Sequence, residues 1–282
     1  MISDQIIKEM IGMSELLLLV IYCALLGSGV GFLAGLLGIG GGLVIVPILS
    51  SILLYLAVLP AEQVVIVAIA TSLASILFTS TSSAIAHHKN GNVPWDLAPW
   101  VMTGVALGAL ISGFMAALLP ENIVRLVFAV SVTLIALKMF YSSTKSDSST
   151  TRKIPNKGLL TVYTTITGGL SAMIGIGGGA VLVPLLTFFS LDMKKAIGCA
   201  SACGIVIALF GSIGYISSGM SHFSLEDGFA GFVYLPALLG IVCTSWFTAP
   251  LGAKATHALP VPLIKKIFSV LLLVTAVSMV VS

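Results

Sequence analysis

Long apolar runs separated by short polar stretches dominate this chain. Leu16 to Leu37 holds no Asp, Glu, Lys or Arg, and neither does Val64 to Ala86. Leu263 to Val281 is interrupted only by Lys265 and Lys266 near its start. A helix needs about 20 apolar residues to cross the hydrocarbon core of a bilayer. Barrel strands alternate in polarity, so these continuous runs predict helices. Ten segments follow from the pattern: 16–37, 43–59, 64–86, 97–118 and 123–140, then 158–174, 180–190, 196–217, 229–250 and 263–281. The polar stretch 142–157, with Lys145, Asp147 and Arg152 among serines, reads as a solvated linker.

Composition sharpens the class. Hydrophobic residues make up 58% of the 282 positions and charged residues 8%, where a soluble domain carries about 25% charged residues. The first run is too long for a signal-peptide core and lacks both a basic segment and a small-residue cleavage site. The net charge of +3 needs no nucleic acid to explain it. Cys23, Cys199, Cys203 and Cys243 all lie in apolar runs and show no metal-ligand spacing, so neither a metal nor a cofactor is expected.

The halves resemble each other. Gly38-Ile-Gly-Gly-Gly42 is followed after four residues by Pro47, and Gly175-Ile-Gly-Gly-Gly179 after four residues by Pro184. Ala68-Ile-Ala-Thr-Ser aligns with Ala196-Ile-Gly-Cys-Ala, and Gly91 falls opposite Gly219. An internal duplication is expected: 16–141 as the first transmembrane repeat and 158–282 as the second, with 1–15 an external segment.

Lys and Arg near membrane ends favour the cytoplasmic side. If every segment reverses direction, starting outside, eleven of the thirteen basic residues fall on the cytoplasmic side, leaving Lys8 and Arg125. Both termini are then external, at the plasma (inner) membrane. Five reversals per half make the halves inverted repeats, a common transporter plan. The fold expected is therefore an all-α polytopic membrane protein of two inverted repeats, each opening with a glycine-broken hairpin. Segment 180–190 is too short to cross the bilayer. It reads as a half-helix that dips in and stops, and 43–59 as its counterpart, although its length would almost permit crossing.

Three adjacent glycines weaken a helix and suit a break. The first N–H groups of the short helix that follows have no intrahelical partner and lie at the positive end of its dipole. Two such apices meeting near the midplane would offer an anion the N–H groups of Gly40, Gly41 and Gly42 from one side and Gly177, Gly178 and Gly179 from the other. Gly27, Gly31 and Gly35, like Gly104 and Gly108, follow the spacing of close helix packing instead. Hydroxyls enrich the third segment, where Thr71, Ser72 and Ser75 are site-lining candidates, with Ser201 in its counterpart. Bonding back to their own helix is the commoner fate of such hydroxyls. No carboxylate lies mid-segment to relay protons. His87, His88 and Lys89 read as a solvated basic loop.

The doubled Gly-Ile-Gly-Gly-Gly-x4-Pro motif, the Thr71-Ser72 stretch, His87-His88-Lys89-x-Gly91-Asn92-Val93 and Pro250-Leu-Gly-Ala-Lys254 together resemble the TauE/SafE family of membrane permeases. That resemblance implies export of small sulfur-containing anions such as sulfite or sulfoacetate. It carries over to Gly38, Gly40, Gly41, Gly42, Pro47, Gly175, Gly177, Gly178, Gly179 and Pro184. Cys199-Ala200 stands where the first half has Thr71-Ser72, which breaks the symmetry of a hydroxyl-lined site. The function expected is secondary transport of a small anion, with H+ or Na+ as a possible coupling ion. An anion channel is the alternative. A membrane enzyme fits less well, for want of titratable groups at depth.

Overall fold

A helix satisfies its own backbone hydrogen bonds, so apolar runs that avoid water fold as helices. The computed structural model describes residues 2–120, scattered positions between 123 and 137, and 155–255. Eight α-helices lie in the two continuous stretches: α1 (Ile2–Leu37), α2 (Gly42–Tyr55), α3 (Ala61–Lys89), α4 (Ala98–Leu118), α5 (Lys157–Ile174), α6 (Gly179–Phe188), α7 (Met193–Gly219) and α8 (Leu235–Ala255). Five of the described helices are long and apolar enough to cross a membrane, over Ser14–Leu37, Ala61–Lys89, Ala98–Met115, Met193–Gly219 and Leu235–Ala255. Segment 263–281 and most of 123–140 and of the 142–157 linker lie outside the described residues.

Burial sorts the helices. In their most apolar stretches 78% of α3 and 72% of α7 is buried inside the protein, against 28% of α1 and 33% of α8. The two matching helices of the duplicated sequence are thus the central pair, and they pack on each other. Around them, α1 packs along α8 and α4 along α5. Leu25, Leu107, Ile111, Ile166, Leu239 and Phe247 on these outer helices point outward, as a lipid-facing surface requires.

Small residues make the outer seams. A Cβ at Gly27 would lie 2.3 Å from the Ile241 carbonyl oxygen, and one at Gly35 would lie 1.8 Å from that of Ala249. At Gly108 it would lie 1.9 Å from the Thr165 carbonyl oxygen. No side chain fits at these distances, so the four-residue glycine spacings are packing seams, as expected.

Residues 2–13 extend α1 ahead of its membrane-length apolar stretch, Ser14–Leu37. Three features differ from the sequence expectation. Helix α2 stops at Tyr55, with Ala57 at φ 49°, so its 14 residues span about 21 Å and cannot cross. The run expected as helix from 229 begins with a two-stranded antiparallel ribbon, Phe229–Ala230 on Val233–Tyr234 (β1, β2), and α8 starts only at Leu235. Finally, His87 is fully buried, not solvated.

Candidate functional site: two glycine turns

Helix α1 ends at Leu37, and Gly38, Gly40 and Gly41 follow with φ of 67°, 69° and 84°. Gly41 then caps α2. The second hairpin repeats the construction: α5 ends at Ile174, Gly175 caps it at φ 74°, and Gly178 at φ 80° caps α6. A side chain at these φ values is strained, which is why the turn is written in glycine. Pro47 and Pro184 sit inside the short helices, each six residues past the N-cap.

The two turns touch. A Cβ on Gly40 would lie 2.9 Å from the Gly177 Cα, and one on Gly177 would lie 3.0 Å from the Gly40 Cα. The contacts are reciprocal one step further along. A Cβ on Gly42 would meet the Gly175 carbonyl oxygen at 1.9 Å, and one on Gly179 would meet that of Gly38 at 1.9 Å. Ile76 of α3 closes over both turns. Val44 and Ile45 N–H donate to the Gly41 carbonyl at 3.0 and 3.1 Å, and Val181 and Leu182 N–H to that of Gly178 at 3.0 and 2.6 Å. Among the described residues, no hydrogen bond is made by the N–H groups of Gly40, Gly41, Gly42, Gly177, Gly178 or Gly179. Two helix N-termini, each carrying about half a positive charge, therefore converge in an interior without a charged side chain nearby.

The candidate hydroxyls separate into roles. Ser72 donates to the Gly175 carbonyl at 2.9 Å and ties α3 to the second turn. Ser201 lies beside the first: its Oγ would be 3.2 Å from a Cβ on Gly38, and it pairs with Ser83 at 3.2 Å. Thr71 instead accepts from the Tyr234 N–H of β2 at 2.9 Å. Ser75 bonds back to the Ser72 carbonyl at 2.8 Å. Two residues outside the candidate set belong here. Thr79 reaches the Gly40 carbonyl at 3.3 Å, and Ser80 lies against Gly204, which in turn faces the Gly177 carbonyl. The signal for Thr79 was that it continues the four-residue spacing of Thr71 and Ser75 on one helix. A cavity of about 300 Å³ lined by Glu15, Leu19, Leu56, Val58 and Tyr234 lies at the Thr71 end, and none of the turn glycines lines it. No group of three or more potential metal ligands occurs among the described residues.

Five helices long and apolar enough to cross a membrane, with two shorter apolar helices packed among them, define a multi-pass helical membrane protein. The sequence profile of the sulfite exporter TauE/SafE family matches residues 23–279, and the chain belongs to that family. It is 39% identical over 265 residues to a Haemophilus influenzae protein named "Probable membrane transporter protein", covering 92% of this chain and 97% of that one. It is 26% identical to the probable membrane transporter protein MJ0441 of Methanocaldococcus jannaschii, over 85% and 87% of the two chains. Bacillus subtilis YdhB, of the same description, is 26% identical over 83% and 89%. No solved structure matches.

Proposed function

We propose that the protein is a secondary transporter that exports a small anion such as sulfite or an organosulfonate, by alternating access around the paired glycine turns. Family membership and the names of the relatives support transport. The single observation that carries the mechanism is the reciprocal contact of the turns at Gly40 and Gly177, with their N–H groups unpaired. A dipolar site without a buried cation holds an anion and also lets it leave, because no ion pair must be broken. Seated between two halves of opposite insertion, such a site faces each side in turn as one half rocks on the other. The touching turns then correspond to a closed conformation, and rocking parts them to admit the anion. The basic-residue count supports an orientation with both termini outside and a plasma-membrane location.

Reconstituted full-length protein, assayed for uptake and efflux of sulfite, sulfonates and carboxylates, tests this reading. Saturable flux of one of these classes is expected. Gly41→Leu and Gly178→Leu each force a side chain onto a positive-φ residue, against Val30 and Ile207. Each is expected to abolish flux while the protein still inserts as a monodisperse species. Normal flux in both variants would remove the turns from the mechanism. Ohmic single-channel currents would replace the transporter by a channel.

A further inference from the structure

Three helices press a branched apolar side chain onto the glycine turns. Val30 of α1 lies against Gly41, where no Cβ would fit beside it. Ile207 of α7 lies against Gly178, its Cδ1 2.5 Å from the position a Cβ would take there. Ile76 of α3 touches both turns. Its Cγ2 lies 3.0 Å from a Cβ placed on Gly40 and 2.8 Å from one on Gly177, and its Cδ1 lies 2.9 Å from one on Gly42. All three side chains are buried, Ile76 and Ile207 at 0% exposure. Each is β-branched and sits inside a helix, where Val and Ile hold one χ1 rotamer about 90% of the time. A collar of this kind does not swing aside as an unbranched side chain does.

The duplication gives the collar one dominant member. Ala68 aligns with Ala196, so Gly204 of α7 stands at the position of Ile76. A Cβ at Gly204 would meet Ser80 Oγ at 2.6 Å and the Gly177 carbonyl oxygen at 2.8 Å. There is no room for a second isoleucine on that side. Helix α7 approaches the second turn with its backbone instead, and Ile76 is the side chain that spans both apices.

We propose that Ile76 is the size filter of the anion site: it admits an oxyanion head between the turns and turns away anions that carry a longer organic tail. This rests on the transporter reading above. N–H groups at the two apices pair with oxygen atoms, so an anion seated there points its oxygens at the turns. Any tail must lie in the space beside them. Ile76 occupies that space on the α3 side, and Ser80 packed on Gly204 closes the α7 side. Ile76 belongs to the same half as Gly40 and Gly42, and its helix packs on α2. It keeps its place at the first turn when the halves rock, so it walls the open site as it walls the closed one. An apolar wall offers an anion no hydrogen bond, and its effect falls on shape.

Full-length protein in proteoliposomes tests the filter through a preference among anions, which a merely structural role does not move. Sulfite is compared with methane-, ethane- and propanesulfonate, each by kcat/KM for flux. If the wild type carries carboxylates instead, formate, acetate, propionate and butyrate form the equivalent series. Wild-type kcat/KM is expected to fall about tenfold for each added methylene, the discrimination usual at an apolar wall. Ile76→Ala removes both contacting carbons and is expected to raise the ratio of the longest to the shortest anion about tenfold or more. Ile76→Val keeps the Cγ2 that touches both apices and is expected to keep the wild-type order. Ile76→Met gives up the stiff χ1 at similar volume and is expected to move the ratio in the same direction as alanine, so the test stands even where the alanine variant fails to insert. An unchanged order in Ile76→Ala and Ile76→Met, or a loss of flux equal for every anion, overturns the filter and leaves the transporter reading intact. Wild-type flux that rises with tail length also overturns the filter. No flux of any anion in the wild type overturns both.

Discussion

Ser72 shows how one hydroxyl ties the site together. It reaches 103 residues along the chain to the Gly175 carbonyl, in an interior where that oxygen has no other hydrogen-bond donor among the described residues. Ser72→Ala leaves a buried acceptor unpaired, at a cost of about 1–3 kcal/mol. Ser75→Ala removes only a bond back to the helix and is expected to cost less than about 0.5 kcal/mol. Thermal unfolding in detergent should therefore rank Ser72→Ala well below Ser75→Ala, and equal midpoints would show that the tie to the turn is weak. The glycine turns themselves were legible in the sequence, because only glycine takes three positive-φ positions at one apex. The hydroxyl partners were legible only in part. Thr71, Ser72 and Ser75 are equivalent as composition, and the rotation of α3 alone sends one to a turn, one to β2 and one back to its helix. His87 was misread because charged neighbours suggest solvent, whereas the close approach of α1 at Gly35 excludes it.

At the scale of elements, the seam between α1 and α8 is made of backbone pressed on backbone. A Cβ at Gly31 would meet Ser245 Cα at 2.6 Å, and one at Gly252 would meet the Phe32 carbonyl oxygen at 1.9 Å. Gly31→Leu cannot be absorbed by a rotamer change. It is expected to separate the helices and lower stability by several kcal/mol, about 3 or more. Gly29 has open space at its Cβ, so Gly29→Leu on the same helix is expected to be nearly neutral. Unfolding midpoints of the two variants measure this, and equal losses would contradict the seam. The four-residue glycine spacing made that seam readable. The β1–β2 ribbon was not readable, because Phe229 to Tyr234 continues an apolar run. What breaks the helix there is Gly228 and Gly231 at φ 82° and 57°, together with stacking of Phe223, Phe229 and Tyr234 at 4.6 Å. Neither feature has a periodic signature. The length of α2 was misjudged for a similar reason: Leu56 to Leu59 is apolar, but the chain turns there.

For the whole molecule, the decisive arrangement is that the two most buried of the five membrane-length helices are the matching members of the duplicated sequence, and that they frame both turns. The contacts from Gly42 to Gly175 and from Gly179 to Gly38 repeat each other across this centre. A lone half-helix would leave its N-terminal N–H groups unpaired in a dry interior; two that converge create a place where a solute can pair them. On the reading proposed above, that solute is a small anion. The most direct test is a structure determined in lipid with selenite, a heavier analogue of sulfite, at a concentration that saturates transport. Parted turns are expected, with selenite density between Gly40–Gly42 and Gly177–Gly179, within hydrogen-bond distance of N–H groups from both. Saturating selenite bound elsewhere, with Gly40 and Gly177 still in contact, would contradict it.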